Sequence, residues 1–234
     1  MTGGSTGIGR AVAARFVADG AEVVITGRRA DVLAATAGEI GARGVVCDAS
    51  DPDAVGRVLD EFPERIDVLV NNAGGNTDLG RPDGGLADVA AGWRTNFAAN
   101  VLSAVLTTTA LSDRLVSGGT VVLLSSIAAD RGSRGGSYGA VKAAVAAWNV
   151  DLSAELGSRG ITSNVISPGF IAGTEFFRGR MTDERRTALV EATRNKREGV
   201  PADIAEAVFF LASPGARHIT GQVLNINGGA LTTR

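Results

Sequence analysis

Residues 2–9 read TGGSTGIG. A turn of this composition binds phosphate where it links the end of a strand to the start of a helix. Gly3, Gly7 and Gly9 permit a tight turn, bring backbone amides close to a pyrophosphate and let the next helix pack closely on a sheet. The spacing is G-x-x-x-G-x-G, not the G-x-G-x-x-G of the commoner dinucleotide fingerprint. Only Met1 stands before Thr2, so the expectation is a strand before this turn that is missing or cut short.

The rest of the chain supplies the matching architecture. Short apolar runs at 21–26 (AEVVIT), 44–47 (GVVC), 66–71 (IDVLVN), 120–125 (TVVLLS), 161–166 (ITSNVI) and 222–226 (QVLNI) suit strands buried on both faces. Helical patterns separate them, at 10–19, 31–40, 51–62, 88–116, 138–156 and 201–212. Asp51 before Pro52 supplies a capping oxygen and a residue already fixed near helical φ, and Val200-Pro201 with Asp203 repeats the start signal. Strand and helix alternate, which predicts an α/β fold with a doubly wound parallel sheet, Rossmann-like and one domain over 1–234. Residues 173–199 differ: Phe176, Phe177 and Met181 stand among Arg178, Arg180, Arg185 and Arg186. That stretch reads as an irregular segment covering a substrate.

Composition removes several function classes. The 23 basic and 25 acidic side chains leave a formal charge of -2, giving no field for nucleic acid or anionic membrane. Cys47 is the sole cysteine and His218 the sole histidine. No internal disulfide can form, and a typical zinc site or a His-based triad has too few ligands or bases, so no metal is expected. No apolar run of about 18 or more occurs and nothing resembles a signal segment, so the expectation is a soluble, cytoplasmic protein.

Four further stretches carry the chemistry: NNAG (71–74), SSIAADRGSRGGSYGAVK (125–142), SPGFIAGTEF (167–176) and HITGQVLNINGG (218–229). With the glycine turn they resemble, in order and from Thr2 to Gly229, the short-chain dehydrogenase/reductase family, and among its members the 3-oxoacyl-carrier-protein reductases. The resemblance implies a nicotinamide cofactor, a serine, a Y-x-x-x-K pair at Tyr138 and Lys142, and an asparagine in the long helix.

Tyr138 is the sole tyrosine and Lys142 one of two lysines among 23 basic side chains. Four residues apart on a helix, they share a face. Bringing a phenol of pKa ~10 to work near neutrality requires about 4 kcal/mol. One cation about 4 Å away at an effective dielectric near 20 supplies about that much. For the serine, the resemblance favours Ser126, whose hydroxyl would donate to a carbonyl oxygen, with Ser125 as the alternative. For the asparagine, Asn96 and Asn100 both qualify. Aligning Trp93 with the family's tryptophan selects Asn100, which would hold a water linking Lys142 to solvent.

The cofactor type is read after the 21–26 run, where an NAD enzyme of this kind is expected to carry an acid for the ribose hydroxyl. Gly27, Arg28 and Arg29 stand there instead. A guanidinium binds a 2′-phosphate with two hydrogen bonds, so NADP(H) is the favoured cofactor, with NAD(H) as the alternative. The full cofactor set implied by the resemblance is Gly3, Ser5, Thr6, Gly7, Ile8, Gly9, Arg28, Arg29, Asp48, Ala49, Asn72, Ala73, Gly74, Tyr138, Lys142, Pro168, Gly169, Ile171 and Thr174. Asp48 would meet the adenine edge, and Ile171 and Thr174 the carboxamide.

The expected activity is hydride transfer between nicotinamide and a carbonyl or secondary alcohol. A 3-oxoacyl thioester is the first substrate expectation, with the arginines of 178–186 meeting an acidic carrier. Sugar, steroid or small-alcohol oxidoreduction and a catalytically idle nucleotide-binding protein are the alternatives. The resemblance also implies a homotetramer or homodimer built on helices 88–116 and 138–156. It places the missing first strand between the second and fourth, and the expectation is a natural chain that starts upstream, with Met1 standing where relatives carry that strand's last valine.

Overall fold

A computed structural model describes residues 1–80, 84–133, 136–177 and 179–233. In chain order the elements are α1 (Gly7–Ala18), β1 (Val24–Gly27), α2 (Ala30–Ile40), β2 (Arg43–Val46), α3 (Pro52–Arg57), β3 (Ile66–Asn71) and α4 (Leu86–Phe97). They continue with α5 (Ser103–Leu111), β4 (Leu115–Leu124), α6 (Ala128–Arg131), α7 (Tyr138–Gly157), β5 (Thr162–Pro168), α8 (Asp183–Glu191), α9 (Pro201–Ala212) and β6 (Val223–Ile226). Every strand pairing is parallel, with β1 beside β2 and the order β3-β4-β5-β6 in the larger part. Thr2 joins the two parts, bridging Thr26 of β1 and Asn71 of β3. Thr26 N–H donates to the Met1 carbonyl at 2.9 Å and Thr2 N–H to the Val70 carbonyl at 3.0 Å.

Period two along the strands sorts the core into two layers. Leu69, Val121, Leu123 and Val165 turn toward α5, α7 and the turn of helix before α5, where Leu111, Val145, Leu156 and Val101 meet them. Val70, Val122, Leu124 and Ile166 turn the other way, onto Val12 of α1 and Ile204, Val208 and Leu211 of α9. The outer β1–β2 pair has its own packing, with Ile25 buried against Ala13, Leu33 and Ala37.

Three expected elements change. The helix expected over 51–62 ends at Arg57, and Leu59–Glu61 form a separate 3-10 turn. Its start is as expected, the Asp51 carboxylate accepting from Asp53 N–H at 3.0 Å ahead of Pro52; Gly56 weakens its end. The long helix expected over 88–116 becomes α4, a π-helical stretch Ala98–Leu102, and α5, and Leu115 and Val116 already belong to β4. An apolar run longer than the 120–125 expectation cannot be divided between helix and strand by periodicity alone. Within 173–199, where no regular structure was expected, Thr182 caps α8 by accepting from Arg185 N–H at 3.2 Å.

Candidate active site

The glycine turn leaves Thr2 at the point where the chain order reverses between β1 and β3, the crevice in which open α/β sheets bind ligands. Gly3 and Gly7 have φ of 62° and 51°, and a Cβ at Gly9 would overlap the Gly3 carbonyl. The NNAG segment is bolted to this turn. Thr2 Oγ1 accepts from the Asn72 and Ala73 amides at 3.1 and 3.0 Å, and Asn72 Nδ2 donates to the Gly3 carbonyl at 2.8 Å.

The residues fit a dinucleotide. No side chain caps α1 and no acid stands in its first turn, which leaves its positive end suited to an anion. A cleft of about 480 Å³ opens there, lined by Ser5, Thr6, Gly7, Arg10, Ala11, Gly173, Thr174, Glu175 and Pro201. Ile8 lies on the first turn of α1, partly buried against the core. Ile171 is buried and bridges Gly199, and Thr174 Oγ1 donates to the Ile171 carbonyl at 3.2 Å. Gly169 N–H donates to Ile226 at 3.0 Å, so the end of β5 holds Pro168 and Gly169 beside β6.

Tyr138 opens α7 and is 6% exposed, with Lys142 one turn on at 4%. The Ser126 side chain lies near enough to Tyr138 to pull its phenol down, and its hydroxyl accepts from Ala128 N–H at 3.2 Å. Ser125 is engaged elsewhere: its hydroxyl donates to the Lys142 carbonyl at 2.8 Å. The two serines open as alternatives in the sequence thus separate by direction, since neighbours leaving β4 point to opposite sides. Lys142 Nζ donates to the Leu124 carbonyl at 2.7 Å and lies 5.9 Å from the Tyr138 ring centroid.

The expected electrostatics are corrected here. Burial pushes the Tyr138 phenol up to about 12, against a smaller downward pull from the Ser126 side chain. Burial also brings the Lys142 ammonium down to about 8. In the protein alone, desolvation of the phenolate outweighs the help expected from a cation one turn away. Tyr138 is therefore held as a neutral phenol, in the form that gives up a proton.

Both candidate asparagines are buried and lie on one network. Asn100, inside the π-helical stretch, receives the Gly75 amide on Oδ1 and donates from Nδ2 to the Gly75 carbonyl, both at 3.0 Å. Asn96 receives Thr77 N–H at 3.1 Å and donates to Ser137 Oγ at 2.7 Å. A π-helical stretch departs from regular α-helical hydrogen bonding and frequently marks a functional site. Gly74 has φ 145°, and a Cβ there would crowd the Asn100 amide.

At the far end of the crevice, Arg28 is exposed and pairs loosely with Asp48 at 3.8 Å, while Arg29 pairs with Glu175 at 2.8 Å. Burial alone would raise the Asp48 carboxyl, but hydrogen bonds from Ser50 and the Arg28 charge hold it below the usual range. Ala49 follows, buried. Of the arginines in 178–186, Arg185 stacks on Phe177 at 5.3 Å and Arg186 pairs with Glu198 at 2.7 Å. Arg180 packs over Gly80, and Arg178 lies outside the described residues. The positive charge expected to greet an acidic carrier is thus partly engaged within the chain. Sequence reasoning missed what this segment does give the site: Phe176 meets Tyr138 at 5.5 Å, and Phe177 meets Phe176 and Phe170 at 5.0 and 5.9 Å.

A family model described as enoyl-(acyl carrier protein) reductase matches residues 3–231. A Mycobacterium tuberculosis protein named only provisionally as an oxidoreductase is 36% identical over 232 residues, 99% of this chain and 96% of the relative. The 3-oxoacyl-(acyl-carrier-protein) reductase of Salmonella typhimurium is 35% identical over 240 residues, 98% of this chain and 95% of the relative. A crystal structure of a short chain dehydrogenase from Burkholderia cenocepacia in complex with NADP superposes with TM-score 0.85 at 34% identity, covering 98% of this chain and 95% of that one.

Proposed function

This chain belongs to the short-chain dehydrogenase/reductase family, oxidoreductases acting on CH–OH and C=O groups, and from that premise we propose an NADP(H)-dependent carbonyl reductase whose favoured substrate is a 3-oxoacyl thioester. The observation that carries this reading is Tyr138, buried at the start of α7, one helical turn from the buried Lys142 and packed on Phe176 at 5.5 Å. When bound, NADPH supplies a hydride for the carbonyl carbon. Tyr138 gives its proton to the carbonyl oxygen while the Ser126 hydroxyl donates to that same oxygen and holds it in line. The Lys142 ammonium then stands near the phenolate that remains. Arg28 and Arg29, with no acid at the end of β1, favour the 2′-phosphate of NADP(H), and α1 favours the pyrophosphate.

The substrate reading draws support from the aromatic cluster. Phe170, Phe176 and Phe177 form an apolar wall beside Tyr138, better matched to an acyl chain than to a polyol that needs hydrogen bonds on every carbon. The relative named as a 3-oxoacyl reductase points the same way. A second copy of the chain is the proposed partner: Leu86, Val89, Trp93 and Phe97 are exposed at helical spacing along one face of α4.

Tyr138→Phe tests the acid. NADPH affinity is expected to stay within about twofold of the parent, while turnover of an acetoacetyl thioester falls at least about 100-fold. Normal turnover in that variant would remove Tyr138 from the role. NADPH binding with no turnover by the parent over a broad carbonyl panel would favour an idle nucleotide-binding protein instead.

A further inference from the structure

The first turn of α7 is capped from a distance. Ser137 is the residue before the helix, the place from which a serine normally caps its own amides, yet its side chain makes no such bond. Asp78, 59 residues earlier in the loop after β3, does so instead. Its Oδ2 accepts from Ser137 N–H at 2.8 Å and from Tyr138 N–H at 3.3 Å, and the Ser137 hydroxyl donates to the same oxygen at 3.2 Å. The helix's positive end favours a carboxylate there. Gly136 makes room: a Cβ at that position would overlap the Asp78 carboxylate.

Asp78 is itself held by α4 and its π-helical continuation. Asn96 fixes Thr77 through its Oδ1, Asn100 fixes Gly75 from both ends of its amide, and Asp78 N–H donates to Asn76 Oδ1 at 2.9 Å. The Ser137 hydroxyl closes the circuit, accepting from Asn96 Nδ2 at 2.7 Å while donating to Asp78. One hydroxyl has one proton to give, so both bonds can form only with this polarity.

We infer that Asp78 is a positioning residue for Tyr138: acting through the backbone and Ser137, it ties the first turn of α7 to the Asn96–Asn100 network. Nothing in this arrangement touches the reacting atoms. What it sets is where the phenol sits relative to Ser126, and displacements of about 1 Å at such a point can cost up to 100-fold in rate.

This inference rests on the reductase reading for its kinetic consequence, and the test separates the two. Acetylation of the phenol by N-acetylimidazole, followed by peptide mapping of the Tyr138 peptide and reversal with hydroxylamine, reports the accessibility of this sole tyrosine with no turnover needed. Asp78→Ala is expected to raise that acetylation rate about tenfold and to lower kcat about tenfold with KM within about twofold. Asp78→Asn keeps an oxygen acceptor for both amides and is expected to stay within about threefold of the parent in both measurements. Asp51→Ala, which removes a comparable cap from α3, is expected to lower Tm without changing Tyr138 reactivity. Parent-like acetylation in Asp78→Ala, or the same rise in Asp51→Ala, would overturn the inference. Acetylation that responds to Asp78 in a protein with no turnover would uphold the positioning and count against the reductase.

Discussion

Tyr138 and Lys142 are two ionisable groups buried almost completely, and burial moves each away from its charged form. The sign fixes a pH dependence. With the phenol pushed up to about 12, Tyr138 carries its proton throughout the neutral range. The Lys142 ammonium is charged below about 8 and discharges as pH rises through that value. In the reductive direction kcat/KM for NADPH is therefore expected to be level at neutral pH and to fall above about 8. Lys142→Arg keeps the charge at all accessible pH and is expected to be less active but to lack that fall. The same fall in Lys142→Arg would assign it to another group. At this scale the sequence was informative where residues are scarce: a sole tyrosine and one of two lysines, four apart, leave little choice. It could not separate Ser125 from Ser126, because adjacent residues differ only in direction. It gave no sign of Asp78, whose partners lie 59 and 60 residues away.

Elements were legible where a local signal bounded them. Residues 66–71 form β3 at both ends as read, and Pro201 opens α9 as expected, with Asp203 accepting from Val200 N–H at 2.8 Å. The stretch 88–116 was illegible as three pieces, since both the π-helical stretch and the onset of β4 arise from packing rather than from local sequence. Helix α4 has its own consequence. Its apolar face is exposed, Trp93 at 49% and Phe97 at 42%, whereas the neighbouring Asn96 is fully buried. An exposed apolar stripe on a helix calls for a packing partner. The parent is expected to sediment as a dimer or tetramer, and the double variant Trp93→Asp with Phe97→Asp to shift toward monomer. A monomeric parent, or an unchanged assembly in the double variant, would place the interface elsewhere or remove it.

Over the whole molecule, the glycine turn, the NNAG segment and the end of β5 meet at one crevice because the chain order reverses between β1 and β3. The fold class and the location of that crevice were readable from alternation and turn chemistry. What closes over it was not: the Arg29–Glu175 pair and the contact of Phe176 on Tyr138 join stretches far apart in sequence. In the proposed reaction, hydride passes from NADPH to a carbonyl carbon in this crevice. NADPH deuterated at nicotinamide C4 on the transferred face, incubated with acetoacetyl thioester and the protein, tests it directly by mass spectrometry of the product. One deuterium on the new carbinol carbon is expected, with labelled product forming at least about 100-fold more slowly when Tyr138→Phe replaces the parent. Product without deuterium, or no product from any carbonyl offered, would contradict it.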